Sequence, residues 1–189
     1  ELGHAETVTR IAQYELAFRM QTSVPEVMDI SKESAATLEA YGAKPGEASF
    51  ANNCLLARRL AEAGARYIEV TTEYIPFLNW DTHERGHEKL VHMKTAIDGA
   101  IAQLVLDLEE RGMLDRTLVV LASEFSRDMI TEGRPGSKAT DQANSPKDFL
   151  QEPNHYGQHR HFTGGSTVVL FGGGIKKGFV YGKTADERP

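Results

Sequence analysis

One cysteine in 189 residues, Cys54, excludes an internal disulfide. It does not separate an oxidising from a reducing compartment. No apolar run is long enough to cross a bilayer as a helix, so a helical membrane span is not expected. Basic charge is in deficit: 21 Lys and Arg stand against 27 Asp and Glu, for a formal charge of -6. Aromatic residues make up only 8% and are not interleaved with Arg or Lys, so the chemistry of a nucleic-acid surface is missing. There is no internal repeat and no low-complexity tract. The Gly-rich stretch Gly172-Gly173-Gly174 lacks the GxxxxGK[ST] spacing of a phosphate-binding loop and reads as a tight turn. The chain opens on Glu1, already in helical sequence, and ends on Pro189. Both ends read as cut from something longer, and the lack of a visible signal peptide is then uninformative.

What is present is enough apolar sequence for one domain with a core. Val8, Ile11, Ala12, Leu16 and Met20 recur at helical spacing and predict a helix over 5–21, which Pro25 ends or redirects. A short helix over 31–41 stops at Gly42. Ser49 is a fitting N-cap for a helix over 50–63 that Gly64 closes, with Cys54 as a buried core thiol. Tyr67-Ile68-Glu69-Val70-Thr71-Thr72 predicts a strand. Leu90, Met93, Ile97, Ile101, Leu104 and Leu108 predict a helix that ends near Gly112. Thr117–Ala122 is nearly continuous apolar sequence, as in a strand covered on both faces. Residues 126–165 have no period and read as one long functional loop. Thr167–Phe171 predicts a third strand and Phe179–Gly182 a short last one. The order predicts one α/β domain over 1–189, with the strands 67–72, 117–122 and 167–171 in one largely parallel sheet and 117–122 central and buried.

Six of the seven histidines fall in two polar clusters. The first runs from Trp80 through Asp81, His83 and His87 to His92; the second holds His155, His159 and His161. Imidazole nitrogen and carboxylate oxygen are the ligands that Zn²⁺ and its neighbours accept. Asp81 and His83, two apart on a loop, can face one metal. His159 and His161 share a face if their segment is extended. Glu124 follows the most apolar strand, where ligands collect in open α/β sheets. It reads equally as a metal ligand or as half of an ion pair with Arg127. Arg127 is also a candidate oxyanion clamp. For His92 a surface position on a helix is the simpler reading, and a histidine-rich surface loop is the plain rival for the second cluster.

Several strings together carry a resemblance. They are Tyr14-Glu15-Leu16-Ala17-Phe18-Arg19-Met20-Gln21, Phe50 through Leu60, Trp80-Asp81-Thr82-His83, Glu124-Phe125-Ser126-Arg127 and Phe171 through Gly178. Over essentially its whole length the chain resembles the carboxyl-terminal part of the DUF1501 family, sulfatase-like bacterial proteins placed in the alkaline phosphatase-like superfamily. The resemblance implies an incomplete three-layer α/β/α sandwich, the carboxyl-terminal part of a larger hydrolase-like domain. It implies divalent metal, Zn foremost with Mn, Ca or Mg as alternatives, and hydrolysis of phosphate or sulfate esters, with a small-molecule or polysaccharide ester as substrate. It also implies a periplasmic or secreted location. Asp81 and His83 match the superfamily's Asp/His step, Glu124 its acidic ligand, and His161 its late histidine. Two departures are visible. Gln158-His159-Arg160-His161 stands where the family commonly has Arg-Asp-His, and Phe125 stands where many active superfamily members carry histidine. The nucleophile would belong to an amino-terminal half outside these residues, a candidate partner in its own right.

Three functional readings follow. The first is a metal-dependent ester hydrolase, with metal at Asp81, His83, Glu124, His159 and His161, and with Arg127 offsetting charge on the transferring group. The second is a binding or scaffold module without catalysis. The third is an α/β domain with a structural zinc.

Overall fold

The computed structural model describes residues 4–72, 79–82, 85–131, 159–162 and 164–183. The chain is mixed α/β and divides into two compact units, Glu1–Val70 and Thr71–Pro189.

The first unit is helical. Helix α1 spans Ala5–Met28 and runs on through Pro25, past the end that the sequence predicts. The proline removes only one ladder donor. The carbonyls at the end of the helix are taken up from outside it: Arg59 donates from Nε to the Val27 carbonyl at 2.6 Å and from its terminal nitrogen to the Glu26 carbonyl at 2.8 Å. Asp29 then accepts from the backbone N–H of Ser31 at 3.1 Å and starts a 3-10 turn, Ile30–Lys32. Helix α2, Ala35–Tyr41, is capped by Ser34, which accepts from the Thr37 N–H at 3.0 Å. Its carboxyl end closes on Gly42 at φ +69°.

Helix α3, Phe50–Glu62, has the N-cap the sequence predicts: Ser49 accepts from the Asn52 N–H at 3.1 Å. It packs against α1, α2 and the 3-10 turn between them, and buries Cys54, Leu55 and Ala57. Asn52 is buried on the same helix and holds the preceding turn. Its Oδ1 accepts from the Lys44 N–H at 2.8 Å, and its Nδ2 donates to the Lys44 and Glu47 carbonyls at 2.7 and 2.5 Å. A buried amide with all these partners satisfied rigidifies rather than weakens the corner.

The second unit holds helix α4, Gly86–Glu110, and four strands. Helix α4 ends as predicted: the Gly112 N–H donates to the Glu109 carbonyl and the Met113 N–H to the Leu108 carbonyl, at 2.9 and 2.8 Å. A 3-10 turn, Leu114–Arg116, leads to β1, Leu118–Ala122. Strands β2, Ser126–Thr131, β3, His159–Phe162, and β4, Val168–Gly172, follow.

The sheet differs from expectation in four ways. Strand β1 pairs with β4 antiparallel, in register from Leu118 opposite Gly172 to Ala122 opposite Val168. An apolar run specifies burial but not strand direction, so the parallel arrangement did not follow from it. Strand β1 is not buried: Leu118 is 50% exposed and Val120 53%, because among the described residues β4 is its one ladder partner. Residues 67–72 and 179–182 are in no ladder among the described residues, although both segments were expected to be strands. Branched side chains favour extended backbone, but a strand also needs a neighbour. Finally, the expected loop 126–165 is not structureless at its ends: they form β2 and β3, an antiparallel pair. Its middle, 132–158, lies outside the described residues.

The two ladders follow one another along the same two stretches of chain. Ala122 pairs with Val168, and beyond a short link Ser126 pairs with Phe162. Across that link the Ser126 N–H donates to the Gly165 carbonyl at 3.0 Å, and the Ser166 hydroxyl lies 3.4 Å from the Ser123 carbonyl. At the far end of β4 the glycines have a packing role. Gly172 has φ +88°, and a Cβ placed there would lie 2.3 Å from the Thr117 carbonyl oxygen and 2.6 Å from that of Leu114. The Gly173 N–H donates to the Thr117 carbonyl at 2.9 Å. Glycine here lets β4 turn directly on the backbone of the 3-10 segment.

Candidate functional site

The ladder of β2 and β3 brings together residues far apart in sequence. Arg127 stands directly opposite His161, and Thr131 directly opposite His159. Directly opposed residues of an antiparallel pair are the closest cross-strand neighbours. Glu124 is exposed in the link between β1 and β2, three residues before Arg127 and beside the Gly165–Ser166 return. Three of the residues singled out by sequence, Glu124, Arg127 and His161, thus belong to one stretch of ribbon, with His159 two positions further along.

Asp81 comes from another element, the turn that precedes α4. The Thr82 N–H donates to the Trp80 carbonyl at 2.9 Å, which makes Asp81 the central residue of a three-residue turn. Thr82 is buried, while Trp80 and Asp81 are half-buried. The other half of the expected pair, His83, lies outside the described residues, as does His155. His87 and His92 are exposed on α4, the surface position expected for His92. Among the described residues no group of three His, Cys, Asp or Glu side chains is placed to hold a metal ion.

Sequence reading passed over one charged cluster, in the first unit. Arg58 is 2% exposed on α3 and pairs with Glu33 at 2.8 Å and with Glu62 at 2.5 Å. Arg59 reaches the same Glu33 oxygen while its other nitrogens tie down the end of α1. Burial alone would raise the Glu33 pKa, but hydrogen bonds from Arg59 and Arg58 outweigh it and hold the carboxyl below its ordinary range. Two guanidinium groups and two carboxylates balance there, which suits a structural clasp. The signal was present in the sequence: Arg58 is four positions from Cys54, on the face that was expected to be buried. Cys54 itself is buried and has its thiol pushed up to about 12 by desolvation, so it is no nucleophile at neutral pH.

No curated protein and no solved structure matches the chain. A family model described as "Protein of unknown function (DUF1501)" matches residues 1–187. That match takes in the capped helix α3, the Trp80-Asp81-Thr82 turn and all four strands of the ribbon, and the chain belongs to the DUF1501 family.

Proposed function

We propose that the chain carries the metal-binding and anion-binding residues of a hydrolase of phosphate or sulfate esters, built on a sulfatase-like, alkaline phosphatase-like three-layer sandwich. The observation that supports this most is the ladder register, which sets Arg127 opposite His161 with Glu124 close by in the chain. A guanidinium beside imidazole and carboxylate is the donor set an ester hydrolase uses on a charged centre.

Asp81, His83, Glu124, His159 and His161 would hold the divalent metal, zinc in the first instance. Their oxygen and nitrogen donors suit it. When bound, the metal would lower the pKa of an attacking oxygen and steady the leaving one. Arg127 would offset the charge of the transferring group and orient it. The substrate would be a small-molecule or polysaccharide ester, met in the periplasm or outside the cell.

A second reading is supported by a different observation. The apolar side chains of Leu118, Val120, Leu121, Val168, Val169 and Leu170 are exposed. Patches of that kind mark surfaces that another polypeptide segment covers, such as the amino-terminal half of the family's domain. In that reading the chain is a binding or scaffold module.

Turnover of p-nitrophenyl phosphate and p-nitrophenyl sulfate separates the two. The hydrolase reading expects release of p-nitrophenol from one ester, abolished by EDTA, restored by Zn²⁺ and lowered at least a hundredfold in Arg127→Ala. No release from either ester, in a chain that also retains none of Zn²⁺, Mn²⁺, Ca²⁺ or Mg²⁺, would favour the module.

A further inference from the structure

We propose that residues 174–183, the segment that leaves the end of β4, are a docking surface for a polysaccharide that carries anionic ester groups. This selects the polysaccharide among the substrates of the hydrolase reading; its role in turnover rests on that reading, and its binding does not. Charge along the chain is the first support. Glu152 and Asp186 bracket 33 residues that hold four Lys and Arg and no Asp or Glu, in a chain of net charge -6. Three of those four are Lys176, Lys177 and Lys183. Lys176 and Lys177 are exposed, and among the described residues no carboxylate pairs with either. The 3-10 turn against Gly173 adds one residue of each sign, Asp115 and Arg116, and so leaves the local excess as it is. A basic stretch on an acidic chain points to an anionic ligand at that stretch.

Exposure is the second support. Phe179, Val180 and Tyr181 are consecutive and each more than half exposed, Tyr181 at 93%. Single exposed apolar side chains are ordinary, but a run of three is a cost unless something uses it. The run is a local exception to the chain's general separation of aromatic from basic residues: Lys176 and Lys177 precede it and Lys183 follows. Lys176 Nζ lies 5.0 Å from the centre of the Phe179 ring, so an ammonium and an aromatic face are already held together. An aromatic face, with its negative quadrupole, suits the C–H face of a sugar ring. An ammonium suits a sulfate or phosphate carried by the same sugar. Nucleic acid is the poorer match. Its recognition favours Arg forks on a basic domain, and residues 174–183 hold lysine alone on an acidic chain. The segment starts from a fixed point, since the Gly173 N–H donates to the Thr117 carbonyl at 2.9 Å and Ile175 is half-buried. Leu118, opposite Gly172, is nine positions from Arg127, a reach of at most about 30 Å. A ligand that meets both the segment and Arg127 has to be extended, as a polymer is.

The test is fluorescence polarisation of labelled dextran sulfate titrated with the full chain at about 0.15 M salt. Neutral dextran and single-stranded DNA are the rival probes. Variants are Tyr181→Ala, Tyr181→Phe, the double Lys176→Gln with Lys177→Gln, and a control double, Lys89→Gln with Lys94→Gln, which removes the same charge from exposed positions on α4. Each is checked for native circular dichroism. Dextran sulfate is expected to bind, and neutral dextran to bind at least tenfold more weakly. Tyr181→Ala should weaken binding about fivefold, as for loss of one stacking contact, while Tyr181→Phe keeps it within about twofold. The Lys176 and Lys177 double should weaken it at least tenfold. The control double should stay within about twofold. Wild-type affinity in Tyr181→Ala or in the Lys176 and Lys177 double would overturn the inference, as would equal loss in the control double or DNA bound as tightly as dextran sulfate. So would a chain that hydrolyses p-nitrophenyl phosphate or sulfate yet does not bind dextran sulfate, an outcome that leaves the hydrolase reading standing. Dextran sulfate binding that depends on Tyr181 and the two lysines, in a chain that retains no metal and turns over no ester, would uphold the inference and sink the hydrolase reading instead.

Discussion

Replacing Gly172 by alanine puts a methyl group into a space that backbone already fills. The new Cβ would lie 2.3 Å from the Thr117 carbonyl oxygen, 2.6 Å from the Leu114 carbonyl oxygen and 2.8 Å from Leu114 Cδ1. Two of these three are main-chain atoms, which cannot rotate away. A residue with a Cβ also pays about 1–2 kcal/mol for the left-handed backbone at φ +88°. Forced overpacking adds about 1–3 kcal/mol, for a total near 2–5 kcal/mol. Gly174 is the internal control. It has φ +77° but nothing within 4 Å, so Gly174→Ala should cost only the backbone share, about 1–2 kcal/mol. Urea unfolding followed by circular dichroism measures both. At a slope of about 2 kcal/mol per molar, Gly172→Ala should lower the midpoint by about 1–2.5 M and Gly174→Ala by about 0.5–1 M. Equal losses in the two variants would refute the close approach of β4 to the 3-10 segment.

Other outcomes follow from the first unit and from the ribbon. Cys54 should resist a thiol reagent at pH 8 in the native state and react fully in urea, since burial holds its pKa near 12; prompt native labelling would place it at the surface. Glu33→Gln should cost about 3 kcal/mol at neutral pH, because it leaves buried guanidinium charge less compensated. The folded-state pKa of Glu33 is depressed, so its contribution is present above the ordinary value of 4.5 and fades as pH falls through the lower folded value. The gap in urea midpoint between wild type and Glu33→Gln should therefore narrow from pH 6 to pH 3, and a constant gap would show that the carboxylate is not what matters. Leu55→Ala, at a fully buried position, should cost about 2–5 kcal/mol, whereas Val120→Ala at a half-exposed one should cost under about 1 kcal/mol. A reversal of that order would mean that β1 is covered after all.

The helices were the legible part of this chain, because their signals are local. Ser49 as a cap, Gly64 and Gly112 as stops and the apolar spacing of α4 each act within a few residues. Pro25 misled for the opposite reason: the bonds that hold the end of α1 come from Arg59, thirty-odd positions away. Strands depend on partners. The segment 67–72 has the composition of a strand without a described ladder partner, while His159–Phe162 lacks that composition and has one. The same contrast runs through the site. Residue types marked Asp81, Glu124, Arg127 and the histidines as candidates, but which of them stand together is a matter of register, and no period in residues 126–165 encodes it.

Metal stoichiometry is the measurement closest to the central proposal. Purified chain is dialysed against Zn²⁺, freed of loosely held ions and analysed by inductively coupled plasma mass spectrometry, alongside Asp81→Asn, His161→Ala and the exposed control His92→Ala. About one tightly held ion or more per wild-type chain is expected, as for a site with three or four protein ligands. Both Asp81→Asn and His161→Ala should lose it, and His92→Ala should keep it. Zinc retained in full by Asp81→Asn and His161→Ala, or none held by the wild type, would contradict the account.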